Sequence, residues 1–155
     1  MSDASVMACV ALGSNLGDAL GTVRQALRDL ACLPETQILK ISSLYCSAPY
    51  EAQGSDFINA VALLKTQLSP LALLHSLQAL ELQSGRKRSY KNAPRTLDLD
   101  VIFYGDVVLD SPELTLPHPR WTQRAFVLRP LAEVWPERVS EFHLEGVRDQ
   151  VIRQI

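Results

Sequence analysis

Two aspartates stand one residue apart in the run Arg95-Thr96-Leu97-Asp98-Leu99-Asp100-Val101-Ile102-Phe103. Side chains alternate across a strand, so this run read as a strand puts Asp98 and Asp100 on one face and Leu97, Leu99 and Val101 on the other. At about 3.3 Å per residue, the two carboxylates root roughly 6–7 Å apart. Such neighbours repel, and one would stay protonated without a compensating cation. A hard divalent ion, or two bridged by these oxygens, resolves the conflict. On spacing alone, a solvated strand face carrying two ordinary acids explains the pair equally well. The preceding stretch tips the balance. Arg86, Lys87, Arg88, Lys91 and Arg95 place five cations in ten residues, with no acid among them. Guanidinium groups grip phosphate oxygens bidentately, and a lysine adds a mobile point charge. A polyphosphate carrying Mg²⁺ needs both parts, carboxylates for the metal and cations for the remaining oxygens. The combination points to phosphoryl transfer.

Other motifs say less by themselves. No Gly-x-x-x-x-Gly-Lys-Ser/Thr run occurs, which excludes a P-loop. Gly13-Ser14-Asn15-Leu16-Gly17 reads as a structural turn between a strand and a helix. Phe57 and Asn59 share one face of a strand, where an aromatic beside an amide is ordinary core or a fit for a flat heterocycle with a hydrogen-bonding edge. Gln78 and Glu81 sit three apart on one helix face, a spacing equally expected of a solvated surface. His118 lies in Leu116-Pro117-His118-Pro119, a rigid turn.

The elements that must position these residues follow from periodicity. A strand is expected over 6–12, then a helix capped by Asp18, with Leu20, Val23, Leu27 and Leu30 on one stripe before Pro34. A second strand is expected over 38–46, and a third over 57–64, apolar on both faces as a central strand should be. Ser69-Pro70 supplies an N-cap and a first-turn proline for a helix through Leu71, Leu74, Leu77 and Glu81, with Gly85 at its end. The acidic strand spans 97–104. The order strand, helix, strand, strand, helix, strand is that of a ferredoxin-like α+β sandwich. Residues 105–155 form an addition: a hairpin around 107–109 and 114–116, then helical segments near 123–134 and 146–155.

Bulk properties narrow the class. The 155 residues are 47% hydrophobic and 21% charged, and no repeat or flexible linker divides them, so one domain over 1–155 is expected. A net charge of -2 speaks against broad nucleic-acid or membrane-surface binding. No apolar run approaches the ~20 residues of a membrane span, and the opening Met1-Ser2-Asp3-Ala4-Ser5 is unlike a secretory signal. Cys9, Cys32 and Cys46 are odd in number and not spaced for a metal, which suits buried thiols in the cytoplasm.

Taken together, these runs resemble the 6-hydroxymethyl-7,8-dihydropterin pyrophosphokinase family over nearly the whole chain. The matching runs are Ala11 to Gly17, Asp56-Phe57-Ile58-Asn59-Ala60, Glu81-Leu82-Gln83-Ser84-Gly85-Arg86, Pro94-Arg95-Thr96-Leu97-Asp98-Leu99-Asp100, and Pro117-His118 with Arg124 and Phe126. The resemblance implies a monomeric enzyme that moves pyrophosphate from ATP to a hydroxymethyl dihydropterin, releasing AMP, in folate biosynthesis. It implies that Asp98 and Asp100 hold two Mg²⁺ ions and that Arg86 and Arg95 meet the ATP phosphates. Phe57 and Phe126 would sandwich the pterin and Asn59 read its edge, with Ser47, Ala48 and Tyr50 completing that pocket. Gln78, Glu81, Arg88, Leu114, Thr115, His118 and Arg124 would lie near ATP. Where many members carry Arg-Trp-Gly-Pro-Arg, this chain has Lys91-Asn92-Ala93-Pro94-Arg95, and Pro119 replaces a tyrosine common after the family histidine. Residues 86–94 are expected to close over bound substrates.

Two rivals differ in chemistry. A nucleotidyltransferase also pairs a Gly-Ser turn with Asp-x-Asp, but there the turn closely precedes the acids, whereas here residues 13–14 and 98 are far apart. A ferredoxin-like RNA-binding module would show aromatics in an RNP-type run and a basic sheet face; this face offers acids.

Overall fold

Nine residues, Val6–Ser14, form β1, on which the sheet is built. The computed structural model describes residues 4–48, 56–84 and 97–155. β1 pairs antiparallel with β4 (Phe57–Thr66) on one side and with β5 (Asp98–Tyr104) on the other. Gly13 and Ser14 do not form a turn. They stay in the ladder, with Gly13 opposite both Asn59 and Asp98.

The second strand expected over 38–46 is broken into β2 (Thr36–Ile41) and β3 (Tyr45–Ser47), both paired with β4. Ile41 opposes Ala62 and Tyr45 opposes Asn59, so four steps on one side face three on the other. Ser42 absorbs the extra residue. Its N–H donates to the Val61 carbonyl at 2.9 Å, and its Oγ accepts from the Val61 N–H at 2.9 Å, in place of a backbone carbonyl. Both backbone groups of Val61 are thereby paired at the break without a regular ladder.

The main sheet runs β5-β1-β4-β3-β8, with β2 also on β4. Helices α1 (Ala19–Ala31) and α2 (Pro70–Gln83) cover one face, where Val23, Leu30, Leu73 and Leu77 meet Val10, Leu12, Ala62, Leu64 and Leu99. Both begin as expected. Asp18 accepts from the Gly21 N–H at 3.0 Å and Ser69 accepts from the Ala72 N–H at 3.2 Å, with Pro70 in the first turn; each cap is worth about 1 kcal/mol. Gly85, expected at the end of α2, lies outside the described residues, as does the segment 86–94.

Helix α3 (Ala125–Val134) lies on the opposite face and packs Val127, Leu131 and Val134 on Cys9, Val61, Leu63 and Phe103. It follows a 3-10 turn at Trp121–Gln123, so the helix expected from 123 starts two residues late. The expected hairpin is present as β6 (Leu109–Asp110) and β7 (Thr115–Leu116). The helix expected over 146–155 is not. A short α4 (Glu141–Glu145) opens on a capping box between Ser140 and His143 and closes at Gly146. Ile152–Gln154 then form β8, antiparallel to β3. The β-branched pair Val151-Ile152 favours an extended chain, and the open edge of β3 offers unpaired backbone groups to receive it. The result is a mixed α/β fold with an antiparallel sheet and, among the described residues, four α-helices.

Candidate active site

The antiparallel register assembles the site from strands distant in sequence. One row across β3, β4, β1 and β5 reads Tyr45, Asn59, Gly13, Asp98, and Val61, Ala11 and Asp100 form another. Alternation points Ala11, Gly13, Asn59, Asp98 and Asp100 to the face that carries α3. Toward Cys9 and Leu63 that face is covered by the helix. Beyond its first turn the face lies open, and a cavity of about 520 Å³ stands over it.

Eight residues singled out from the sequence meet on this cavity: Ser47, Ala48, Phe57, Asn59, Asp98, Asp100, Arg124 and Phe126. Asp98 and Asp100 are half-buried in its floor. Asn59 is only 2% exposed, and its Nδ2 donates to Ser47 Oγ at 2.7 Å. That bond holds the amide in place beside the cavity. Gly13 makes room for this arrangement. A methyl group there would stand 3.3 Å from Asn59 Oδ1 and 3.9 Å from the Phe57 ring. Phe126 sits in the first turn of α3, with the Arg124 guanidinium 5.4 Å from its ring centre. The 3-10 turn before it is anchored by Trp121, packed edge-on to Phe103 at 4.8 Å.

The wall does not include Gln78, Glu81, Leu114, Thr115 or His118. Gln78 is exposed on α2, and Leu114 packs into the core beneath the hairpin. Glu81 is buried, and its carboxylate accepts from the Leu99 N–H at 3.0 Å. Leu99 lies between the two aspartates on what is, among the described residues, an edge strand, so Glu81 holds β5 by pairing an N–H that no described strand pairs. His118 donates its N–H to the Ile102 carbonyl at 2.9 Å, and its Nδ1 accepts from the Arg120 N–H at 3.1 Å. Burial pushes the His118 imidazole below its usual pKa; the Asp100 charge opposes this, and Arg124 and Arg120 add to it. Tyr50, Arg86, Arg88 and Arg95 lie outside the described residues.

Sequence reasoning missed six residues of the wall: Ala11, Leu12, Gly13, Arg120, Gln123 and Gln150. Ala11 and Gly13 carried a signal, since a small residue beside an acidic strand leaves a floor uncovered. Gln150 carried none, because its place depends on a strand pairing that was read as a helix.

Carboxylates are hard oxygen donors suited to Mg²⁺, which keeps water and phosphate oxygens in most of its sites. Among the described residues no group of three or more His, Cys, Asp or Glu could enclose a metal ion. A pair of acids open to a cavity therefore suits a metal that arrives with a phosphate ligand better than a closed structural site.

The profile of the 7,8-dihydro-6-hydroxymethylpterin-pyrophosphokinase family matches residues 9–136. A 2-amino-4-hydroxy-6-hydroxymethyldihydropteridine pyrophosphokinase from Pseudomonas aeruginosa is 47% identical over 129 residues, covering 83% of this chain and 80% of the relative. Its namesake from Synechocystis sp. is 44% identical over 133 residues, covering 86% and 68%. Among solved structures, wild-type Plasmodium falciparum HPPK-DHPS superposes with a TM-score of 0.63 at 16% identity, over 83% of this chain. This chain spans 41% of that longer protein, and the likeness concerns the fold. With the family profile covering most of the chain and these relatives more than 40% identical over most of its length, the chain belongs to the 7,8-dihydro-6-hydroxymethylpterin-pyrophosphokinase family.

Proposed function

We infer that this chain catalyses the reaction that names its family, the transfer of pyrophosphate from ATP to 6-hydroxymethyl-7,8-dihydropterin, which yields AMP and the pterin diphosphate ester in folate biosynthesis. The observation that carries the reading is the meeting, on one cavity, of Asp98 and Asp100 with Phe57, Asn59 and Phe126. Acids able to hold metal-bound phosphate lie beside aromatics and an amide able to hold a flat heterocycle.

The pterin hydroxymethyl oxygen attacks the β-phosphorus of ATP in line, and AMP departs. Phe57 and Phe126 supply apolar faces to the pterin ring, and Asn59, oriented by Ser47, presents its amide to the ring edge, beside Ala48 and Tyr50. Asp98 and Asp100 would hold the Mg²⁺, read as two ions, that accompanies the triphosphate. When bound, Mg²⁺ neutralises phosphate charge and acts as a Lewis acid on the oxygens around phosphorus. Arg86 and Arg95 carry charge stabilisation of the transferring group, and Arg88 and Arg124 bind phosphate nearby. Gln78, Glu81, Leu114, Thr115 and His118 belong to the ATP side, Glu81 by holding β5 in place. Most of the rate enhancement is positioning and electrostatics, since the transferred group needs little covalent help.

The strand order β5-β1-β4 followed by β2 and β3 supports a ferredoxin-like arrangement of the first five strands. We read the chain as one domain, active as a cytoplasmic monomer without nucleic-acid partners. Incubation with ATP, Mg²⁺ and 6-hydroxymethyl-7,8-dihydropterin tests the reaction. AMP and the pterin diphosphate are expected; release of inorganic pyrophosphate would indicate nucleotidyl transfer instead, and no turnover would overturn the assignment.

A further inference from the structure

The two side walls of the cavity belong to different parts of the chain. Ser47 and Ala48, at the end of β3, form one, and Gln123, Arg124 and Phe126, around the start of α3, form the other. The three-residue stretch Gln150, Val151 and Ile152 is bonded to both. Gln150 Oε1 accepts from the Ala125 N–H at 2.8 Å, and its Nε2 donates to the Gln123 carbonyl at 2.7 Å. The Val151 carbonyl accepts from the Ala48 N–H at 3.3 Å, and Ile152 pairs with Ser47. This stretch lies beyond residue 136, where the family match ends.

The bonds of Gln150 are placed where they have most leverage. Helix α3 begins without a side-chain cap of its own: Arg124 stands at the N-cap position and makes no capping bond. The Ala125 N–H is one of the four orphan donors of a helix start, and Gln150 supplies the missing acceptor from outside the helix. Its second bond takes the carbonyl two residues earlier. The backbone on either side of Arg124 is thereby clamped, and Phe126 follows immediately on it.

We propose that Gln150 is a positioning residue for the pterin, which sets the place of Phe126 by clamping the start of α3 and, through Val151 and Ile152, ties that wall to the Ser47–Ala48 wall at a fixed width. The inference rests on the reading of Phe126 as a face of the pterin pocket. Stacking on a flat ring depends on ångström-level spacing, whereas charge contacts to phosphate tolerate more displacement, so the effect falls on the pterin rather than on ATP.

The test is Gln150→Met, which keeps the side-chain length and removes both bonds, with Phe126→Ala and the double variant. For Gln150→Met the expected result is a rise of about tenfold in pterin KM, with ATP KM and kcat each changed by no more than about threefold. Equilibrium binding of the pterin, with Mg²⁺ and a non-hydrolysable ATP analogue present, should weaken in parallel. Because Gln150 acts through Phe126, Gln150→Met should add no more than about twofold to the defect of Phe126→Ala. Gln150→Glu retains the acceptor for Ala125 and loses the donor to Gln123, so its pterin KM should fall between wild type and Gln150→Met; it carries the test by itself if Gln150→Met folds poorly. An unchanged pterin KM in Gln150→Met and Gln150→Glu, a loss confined to kcat, or fully additive defects would overturn the proposal. A normal pterin KM in Phe126→Ala would instead overturn the reading of the wall on which it rests.

Discussion

Cys9 on β1, Val61 and Leu63 on β4 and Phe103 on β5 lie on one face of the sheet and are sealed beneath α3. A few residues along the same strands, Gly13, Asn59 and Asp98 occupy the same face, with the cavity over them. The pairing of β1 with β4 runs unbroken between the two halves, whereas that with β5 shifts register between Cys9 and Val10. The covered half carries apolar side chains whose burial contributes roughly 25 cal/mol per Å². It tolerates the Cys9 thiol because burial holds that group neutral, pushing its pKa up against the weaker pull of Arg138. Two carboxylates could not be sealed in the same way without a large desolvation cost. The open half therefore keeps its acids half-buried and gives the buried Asn59 an internal partner in Ser47, which is buried with it. One face thus serves as core where it is apolar and as a reaction site where it is not.

The largest effect separating the halves is expected at the acids. Asp98→Ala or Asp100→Ala should lower kcat by at least about 10²–10³-fold, with the protein still folded. AMP formation at saturating Mg²⁺ measures the rate, and thermal unfolding measures the fold. Near-normal turnover in either variant would remove the metal site from this half.

The converse change is Leu131→Ala under α3. Leu131 is fully buried, so stability should fall by about 2–5 kcal/mol. The kcat of the molecules that remain folded should hold, because the cavity lies beyond the packed turns of the helix. Urea unfolding with activity read below the transition tests both parts.

Gly13→Ala probes the border between floor and core. The added methyl would crowd Asn59 Oδ1 at 3.3 Å, and relief by a shift of that amide should cost about 1 kcal/mol, or roughly fivefold in pterin KM. Steady-state kinetics with ATP saturating would show it, and an unchanged pterin KM would mean that the amide is not used to read the ring.

The smallest effect is a pH dependence on the covered side. Glu133 of α3 accepts from the Ser43 N–H at 3.1 Å and Ser43 Oγ at 2.8 Å, and from the Tyr45 hydroxyl. Burial alone would raise its carboxyl pKa, but the Tyr45 and Ser43 bonds and the Arg129 charge prevail and hold it low. A depressed folded-state pKa contributes stability above the ordinary glutamate value of about 4.3. That contribution is lost as pH falls through the folded value. Glu133→Gln should therefore lower the unfolding temperature slightly at pH 7, with the gap to wild type narrowing as pH drops below about 4. Turnover at pH 7 should not change. A gap independent of pH would show that the tether owes nothing to the ionised carboxylate.

Local signals were enough to read α1, α2, β1, β4 and β5, because each rests on a cap, an apolar run or an alternation written within about a dozen residues. Asp18, Ser69 with Pro70, and the Asp98-Leu99-Asp100 alternation all behave in the structure as their local chemistry requires. Asp98 and Asp100 could be singled out for the same reason, since two acids on one strand face behind a run of cations is a nearest-neighbour pattern. The break at Ser42 was not legible. A serine whose hydroxyl replaces a backbone carbonyl looks the same in sequence as one that faces solvent, and only the register of β4 decides between them. Residues 146–155 went wrong similarly, since the extended form of Ile152–Gln154 is selected by the free edge of β3, far away along the chain.

By itself, then, the sequence determined the elements with local caps and periodicity, the acids and cations of a phosphoryl-transfer chemistry, and, through its ordered motifs, the family. Tertiary structure decided which residues surround those acids. It brought Gly13 between Asn59 and Asp98 and carried Gln150 across to the start of α3. It also assigned Glu81 to a backbone N–H beside the aspartates. The physical reason is range. Caps and side-chain alternation are set by neighbours along the chain, whereas a cavity wall is set by strand pairing and helix packing, whose partners are distant in sequence and become neighbours only in the folded protein.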